Sequence, residues 1–290
     1  MQRVKLAGLL FTTILTSGLL ISTMAATTED CSYCAAIFGG TPMARNENGA
    51  LSTAGVIVLE SRTFVVGYDD ARMNPLWTCY RVYGATQSGS GKSRAWKTDN
   101  RTGAQVSDSD YKHTAGDYDR GHMAPKSAMY HCYGQTAVDD TYVLSNACPQ
   151  WHPFNDGPWG DLEDLIRNEY SVRFDEVWII AGPIFDDSNG QEYLTKDTDH
   201  AAWAQKPVEI PDAFYKIIID MDADCPRAVA FIIDHNEGYD YGLGETDNER
   251  LSGFIVSIDE IETATGLDFL WLLDDAIEAS LESLKAISLW

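Results

Sequence analysis

A short run of residues and three polar side chains after it suit the metal-assisted hydrolysis of a phosphodiester bond. The run covers residues 119–125, with the letters DRGHMAP, and Asn146, Asn155 and Glu163 follow it. Such hydrolysis needs a base for the attacking water, a cation for charge on the phosphate and leaving oxygen, and donors for the non-bridging oxygens. An imidazole, a few oxygen ligands and guanidinium groups supply all three.

His122 is the candidate general base, because a neutral imidazole accepts a proton near neutral pH. A lone histidine is more often a hydrogen-bonded residue in a turn, so its neighbours must decide between the two interpretations. Gly121 permits close approach of the backbone, Arg120 brings positive charge, and Asp119 can hold neighbouring groups. This context favours a catalytic histidine.

Asn155 and Glu163 are candidate metal-site residues. They lie eight positions apart, so both can face one site if Asn155 is near a helix start and Glu163 is two turns further on. An amide ligand leaves Mg²⁺ mostly hydrated, which suits an ion that dehydrates reluctantly, and Glu163 would hold a metal-bound water. Taken alone, the pair is more typical of a helix cap and an exposed helix acid.

The elements that must position these residues are predicted from the spacing of apolar residues. Residues 118–123 and 141–145 are predicted as extended segments around the site, and residues 158–170 as a helix with an apolar stripe. Residues 84–116 lack periodicity and are predicted as a long surface loop with short elements. The other predicted elements are core strands within 55–66 and at 77–83, 176–184, 213–221 and 228–233, and a helix within 267–289 that docks on the sheet.

These elements indicate a mixed α+β fold with a mainly antiparallel central sheet flanked by helices, in a single domain over residues 26–290. Residues 1–25 resemble a secretory signal peptide, since Arg3 and Lys5 precede an apolar stretch and small residues offer a cleavage site. A membrane anchor is disfavoured because the stretch is short and interrupted. We expect a secreted or periplasmic protein without stable membrane association after signal cleavage.

Six cysteines remain in the mature chain, and an even count in an exported protein predicts up to three disulfides, whose pairing the sequence leaves open. Cys31 and Cys34 are predicted as a local clip, because no second Cys or His pair completes a zinc site. Cys132 and Cys148 stand near candidate site residues in the sequence, so a disulfide between them would brace the site. A thiol there would be sensitive to oxidation.

The formal net charge of -23 is unusual for a protein that binds nucleic acid, since phosphate contacts use Lys and Arg. The charge is unevenly distributed. Residues 62–126 contain ten Lys and Arg against seven Asp and Glu, whereas residues 127–290 contain eight against 33. Basic residues therefore gather beside the candidate motif, and the acidic remainder is typical of a solvated surface that favours solubility and fast release.

Together these segments resemble the DNA/RNA non-specific endonucleases of the ββα-metal superfamily, the secreted sugar-non-specific nucleases. The resemblance spans most of the mature chain. The segments that carry it are NPLW at 74–77 with YR at 80–81, DRGH at 119–122, SNACPQ at 145–150, Asn155 with Trp159 and Glu163, AGPIF at 181–185, and residues 211–216 and 254–266.

The resemblance implies a ββα-metal catalytic motif and a divalent cation, Mg²⁺ or alternatively Mn²⁺, bound directly by Asn155. It implies that His122 activates the attacking water and that Glu163 orders metal-bound water.

The remaining roles also come from the resemblance. Arg81 and Arg120 would neutralise phosphate in the transition state, Asn146 would shape the site near His122, and Asp119 would support the motif. The implied activity is hydrolysis of DNA and RNA to products with 5'-phosphate ends. Two alternatives stay open: a secreted phosphodiesterase of narrower substrate range, and a non-catalytic nucleic-acid binding protein on the same scaffold.

Overall fold

The computed structural model describes residues 36–45, 50–84, 87–111, 118–188, 190–194, 207–222, 225–236, 241 and 247–290. In these ranges the strands are β1 (Met43–Arg45), β2 (Leu51–Ser52), β3 (Ile57–Glu60), β4 (Phe64–Asp69), β5 (Asn74–Tyr83), β6 (Tyr118–His122), β7 (Ala147–Trp151), β8 (Glu176–Ile184), β9 (Glu192–Tyr193), β10 (Glu209–Ile210), β11 (Ala213–Asp222), β12 (Cys225–Asp234), β13 (Ile255–Val256) and β14 (Leu267–Asp268). The α-helices are α1 (Lys126–Tyr133), α2 (Gln135–Thr141), α3 (His152–Phe154), α4 (Gly160–Leu165), α5 (Ser171–Arg173), α6 (Asp247–Ser252), α7 (Ile258–Thr265) and α8 (Asp275–Ser283).

A seven-stranded antiparallel sheet, in the order β13-β12-β11-β8-β5-β4-β3, forms the centre of the fold. β8 pairs with β11 on one side and β5 on the other, and its apolar residues are buried because both faces of the sheet are covered. The predicted α+β class is confirmed, as are the core strands predicted within 55–66 and at 77–83, 176–184, 213–221 and 228–233.

Two hydrophobic cores lie on the two faces of this sheet. Neighbouring strand residues alternate between them: Tyr80 belongs to the first core and Cys79 to the second. The first core includes Phe154 and Trp159, which follow the DRGH motif in the chain, and the second includes Leu281 of α8. The candidate site therefore packs on one face and the last helix on the other.

The extended segment predicted at 141–145 is confirmed only at Val143, which has extended backbone and bridges to Lys97. Thr141 ends α2, where its hydroxyl donates to Val138 O at 2.9 Å, and residues 144–146 form a 3₁₀ turn. The β-branched Thr141 and Val143 gave this segment a strand-like composition. The strand that pairs with β6 begins only at Ala147.

The helix predicted at 158–170 exists but begins earlier. Residues 152–173 form one helical run in which α3, α4 and α5 are joined by the π-helical turns Asn155–Trp159 and Ile166–Tyr170. Gly157 and Pro158 lie in the first wide turn, where Gly157 departs from helical geometry. Asn155 thus lies near the start of the run and Glu163 on its body, as predicted.

The C-terminal helix predicted within 267–289 is much shorter than expected. β14 pairs with β1, with Met43 opposite Asp268, and α8 begins only after Asp274, whose side chain accepts from Ala276 N–H. Pairing with a strand more than 200 residues away cannot be detected from local periodicity. Leu281 packs into the second core, which confirms docking of this helix on the sheet side.

The sequence leaves the cysteine pairing open, and no disulfide joins Cys132 to Cys148. Both residues are buried thiols, and Cys132 Sγ lies 3.4 Å from Tyr83 O. Cys31, Cys34 and the predicted signal peptide lie outside the described residues. In the part of the chain that is described, no helix is long and apolar enough to cross a membrane.

Candidate active site

A β-hairpin-like ribbon and the helical run after it form the frame of the candidate site. β6 and β7 pair antiparallel, with Tyr118 opposite Trp151 and His122 opposite Ala147, and the helical run starts at His152. This strand, strand, helix order places the DRGH motif directly beside the helix that carries Asn155. The two segments are joined through α1, α2 and a 3₁₀ turn.

Close contact between the two strands explains the glycine in the motif. A Cβ atom added to Gly121 would lie 1.8 Å from Gln150 Oε1 and 2.5 Å from Gln150 Cγ, so the whole glutamine side chain would have to move. Gln150 is itself completely buried. Only glycine therefore fits at this point of β6.

We expect Gly121→Ala to destabilise the fold by about 1–3 kcal/mol, as overpacking of a buried site does, and to lower activity by displacing His122. Thermal unfolding and initial cleavage rates measure the two effects. The double variant Gly121→Ala/Gln150→Ala should recover part of the loss, because it removes the clashing side chain. Full stability and activity of the single variant would show that β6 adapts without cost.

The half-buried His122 imidazole lies in an aromatic pocket. Its ring centroid lies 4.5 Å from that of Trp96 and 5.0 Å from that of Tyr142, and its backbone carbonyl accepts from Trp159 Nε1 at 3.4 Å. Among the described residues, Nε2 of His122 has no hydrogen-bond partner. Burial and the nearby Lys126 ammonium lower the pKa of His122 to about 3. The imidazole is therefore neutral and has a nitrogen available to accept a proton.

Asp119 holds two side chains of the helical run. Its Oδ2 accepts from Asn155 Nδ2 at 3.0 Å and from His152 Nδ1 at 2.8 Å. Because the amide nitrogen of Asn155 is used in this way, the amide oxygen is the atom left for a ligand. The motif acid thus orients Asn155, which gives the predicted support role of Asp119 a geometric basis.

The oxygen atoms of these side chains suit a hard divalent cation. The Asn155 amide oxygen and the Asp119 carboxylate are oxygen ligands of the type that Mg²⁺ prefers, and so few protein ligands leave most positions to water. Asn155 would hold the ion directly. The geometry is consistent with the ligand predicted from the sequence, although the ligand assignment itself stays a prediction.

Asn146 is fully buried and bonds only to main-chain groups. Its Oδ1 accepts from Ala124 N at 2.9 Å, and its Nδ2 donates to Ala124 O at 3.1 Å and to Thr141 O at 3.2 Å. Its backbone carbonyl also accepts from Met123 N at 3.0 Å. Asn146 therefore fixes the chain immediately after His122 and acts by positioning, not by contact with a substrate.

Glu163 lies on α4 beside a buried lysine. Burial raises the pKa of Glu163, and the ammonium of Lys216 opposes the rise. Lys216 is completely buried on β11, and its Nζ lies 3.7 Å from the ring centroid of Trp159. Glu163 is thus close to Trp159, whose indole contacts the His122 backbone, and its role in ordering metal-bound water stays a prediction.

The two predicted arginines occupy different places. Arg120 lies on β6, pairs with Asp108 at 2.8 Å and packs over the Tyr111 ring. Arg81 lies on β5, pairs with Glu176 at 3.1 Å and lies over the Tyr83 ring. In the described contacts, Arg81 is not joined to the residues around His122 or Asn155, and its predicted phosphate role stays a prediction.

Sequence reasoning missed three residues at the site. Trp96 contacts His122, and Lys126 is close enough to lower the pKa of His122. Lys126 also donates to Ser93 Oγ at 3.4 Å, and His152 binds Asp119. The sequence did contain a signal for Trp96. It lies among Lys and Arg residues in the predicted loop 84–116, and long ordered loops are often functional.

His235 fastens β7 to the central sheet. Its Nε2 accepts from Trp151 N at 2.7 Å, and its Nδ1 donates to Pro211 O at 2.7 Å, so the neutral ring is satisfied on both sides. The ring also packs against Phe154 and Phe214. His235 was not predicted, and it positions the start of the helical run that carries Asn155.

We expect His235 to make the protein less stable in acid. Burial lowers its folded-state pKa to about 4, below the ordinary value of 6.5, so its contribution is complete above pH 6.5 and is lost as the pH falls towards 4. The loss amounts to at most about 3 kcal/mol. His235→Gln, which keeps a neutral acceptor, should flatten the pH dependence of the unfolding free energy between pH 6.5 and 4. If the unfolding free energy changes equally with pH in the unsubstituted protein and in His235→Gln, then His235 is not the cause of the acid sensitivity.

Comparisons with known proteins identify a family and a fold that this chain shares. A family model described as DNA/RNA non-specific endonuclease matches residues 42–276. The chain is 29% identical over 242 residues to mitochondrial endonuclease G of Bos taurus, covering 81% of this chain and 75% of that protein. It is 31% identical over 216 residues to a nuclease of Serratia marcescens, covering 71% and 72%. A crystal structure of the EndoG/EndoGI complex shares the fold, with a TM-score of 0.61 at 22% identity over 75% of this chain and 86% of that one.

Proposed function

The chain belongs to the DNA/RNA non-specific endonuclease family of phosphodiester hydrolases, and from this premise we propose that it is a secreted, Mg²⁺-dependent endonuclease that cuts both DNA and RNA. One observation carries the proposal: His122 and Asn155 lie on the same strand, strand, helix frame. His122 is neutral and its Nε2 has no partner among the described residues, and the Asn155 amide is fixed by Asp119. A base and a hard-metal ligand on one small frame suit phosphodiester hydrolysis.

His122 is the general base of the proposed mechanism. Nε2 takes a proton from a water molecule as that water attacks the phosphorus in line, and the bond to the 3' oxygen breaks to leave a 5'-phosphate. The departing 3' oxygen takes a proton from a second water molecule and becomes a 3'-hydroxyl. The aromatic contacts from Trp96 and Tyr142 hold the ring in place during the transfer. Asn146 maintains the backbone that follows it.

Asn155 would hold Mg²⁺ through its amide oxygen, with Glu163 ordering water nearby. When bound, the cation would stabilise negative charge on the phosphate and the leaving oxygen. Arg120 and Lys126 are the cations beside the motif that would hold non-bridging oxygens, and Arg81 has this role only if the substrate extends along β5. Chemistry directed at the phosphate supports low sequence preference.

Secretion is a separate part of the proposal. Its support is the basic, apolar and small-residue pattern of residues 1–25. Expression of the full chain in an exporting host, followed by N-terminal sequencing of the protein in the medium or periplasm, tests it. A mature chain that starts near residue 26 is expected, and an intact Met1 in the cytoplasm would contradict it.

The substrate range decides between the proposal and its narrower alternative. We expect duplex DNA, single-stranded DNA and RNA of equal length to be cut at comparable rates, with 5'-phosphate ends that polynucleotide kinase labels only after phosphatase treatment. Cleavage of one substrate alone would favour a narrower phosphodiesterase. Binding of all three in Mg²⁺ without cleavage would favour a non-catalytic binding protein.

A further inference from the structure

Five carboxylates from three C-terminal elements lie close together on the second-core side of the central sheet. Asp259 and Glu262 are on α7, Asp268 is on β14, and Glu278 and Glu282 are on α8. Their oxygens form two groups, one of Asp259, Glu262 and Glu282 and one of Asp268, Glu278 and Glu282, and the atoms within each group lie within 4.8 Å of one another. We call these five residues the acidic cluster.

Two members of the acidic cluster are buried with unpartnered oxygens. Asp268 is 1% exposed and Glu282 is 7% exposed. Asp268 Oδ1 and Glu282 Oε1 have no hydrogen-bond partner among the described residues, and Glu282 belongs to both groups. Buried carboxylates without donors are strongly unfavourable unless a positive charge or a proton compensates them. These oxygens therefore point to a ligand inside the cluster.

The described residues supply too little positive charge for this cluster. Arg45 of β1 forms an ion pair with Asp268, and one guanidinium cannot neutralise five carboxylates. Glu262 has a partner of a different kind, since its Oε1 accepts from Phe269 N at 2.8 Å. The remaining counter-charge must come from protons or from a cation.

We propose that the acidic cluster binds one Ca²⁺ ion, with Asp268, Glu278 and Glu282 as ligands, and that this ion fastens α8 and β14 to the fold. Ca²⁺ binds six to eight oxygen ligands at about 2.3–2.6 Å in flexible geometry, so carboxylate oxygens within 4.8 Å of one another can share one ion. Mg²⁺ demands a near-ideal octahedron and usually keeps several waters, so a site built from three protein carboxylates suits it less well. Asp259 and Glu262 add negative potential beside the ion.

This site is separate from the candidate active site. Leu281 of α8 and Ile261 of α7 pack into the second core, whereas Phe154 and Trp159 pack into the first core across the sheet. The expected role is structural, because the ligands come from two different elements, β14 and α8, that pack on the second core. The proposal does not depend on the proposed nuclease mechanism.

Calcium binding is measured on the mature chain carrying Asn155→Ala, so that the candidate active site does not contribute. After treatment with EDTA and its removal, CaCl₂ alone is titrated by calorimetry and by thermal unfolding. We expect about one ion per chain, with a Tm rise of about 5–10 °C at 100 times Kd. Glu282→Gln should weaken the affinity at least tenfold, and without calcium it should unfold no earlier than its parent.

Asp275→Asn is the matched control, because it removes an exposed acid from the same helix and should leave Ca²⁺ affinity within twofold. No calcium response, an equal response in Glu282→Gln, or tighter binding of Mg²⁺ than of Ca²⁺ would overturn the proposal. With Asn155 restored, the Glu282→Gln variant should cleave DNA at the same rate as the unsubstituted protein in saturating Mg²⁺ at 25 °C. This readout separates failure of the calcium site from failure of the nuclease assignment.

Discussion

His122→Ala should lower the cleavage rate by about 10²–10⁴-fold, because the general base is lost while the metal ligand and the surrounding fold are kept. The variant should still bind DNA, and Mn²⁺ titrated by calorimetry should still bind near Asn155. Single-turnover cleavage of a labelled duplex measures the chemical step directly, so slow product release cannot hide the effect.

His131→Ala is the control for this experiment, since His131 lies on α1 outside the β6–β7 ribbon and should keep activity within a few fold. Thermal unfolding of both variants checks that the fold survives. Near-normal turnover of His122→Ala would remove His122 from the role of base.

Asn155→Ala should reduce activity at least about 100-fold at low Mg²⁺, and raised Mg²⁺ should restore part of it, because a direct ligand is lost while water can take its place. The dependence of the rate on Mg²⁺ concentration is the measurement, and the half-saturation point should move to higher concentration. Loss of the amide also releases Asp119 from one of its two partners.

Asn168→Ala is the matched control, because Asn168 is an exposed asparagine on the same helical run. It should leave the Mg²⁺ dependence unchanged. Full activity of Asn155→Ala at ordinary Mg²⁺ would show that Asn155 does not bind the ion. If Asn155→Ala loses activity and raised Mg²⁺ does not restore any of it, then Asn155 has a structural role.

The central sheet could be predicted from the sequence because its strands carry local signals. β8 is an almost continuous apolar run that ends at Pro183 and Ile184, and both of its faces are covered in the structure. Other elements depend on distant partners. β14 is a strand because it pairs with β1, and no periodicity within residues 267–289 reveals that partner.

The candidate site was predictable as a set of residue types, and less so as an arrangement. DRGH and Asn155 stood out by chemistry and order, and the structure joins Asp119 to Asn155. Trp96 contacts His122, which is 26 positions away in the sequence, and His235 contacts Trp151, which is 84 positions away. Both residues were missed for this reason. Such contacts arise from packing, which local spacing does not encode.

The central claim is tested most directly by digestion of supercoiled plasmid and of total RNA by the mature protein, in Mg²⁺ and in EDTA, beside His122→Ala prepared identically. We predict that the natural protein cuts both substrates in Mg²⁺, that EDTA abolishes both reactions, and that the variant is nearly inactive on both. Cleavage that persists in EDTA, or no cleavage of either substrate in Mg²⁺ or Mn²⁺, would contradict a metal-dependent endonuclease built on His122 and Asn155.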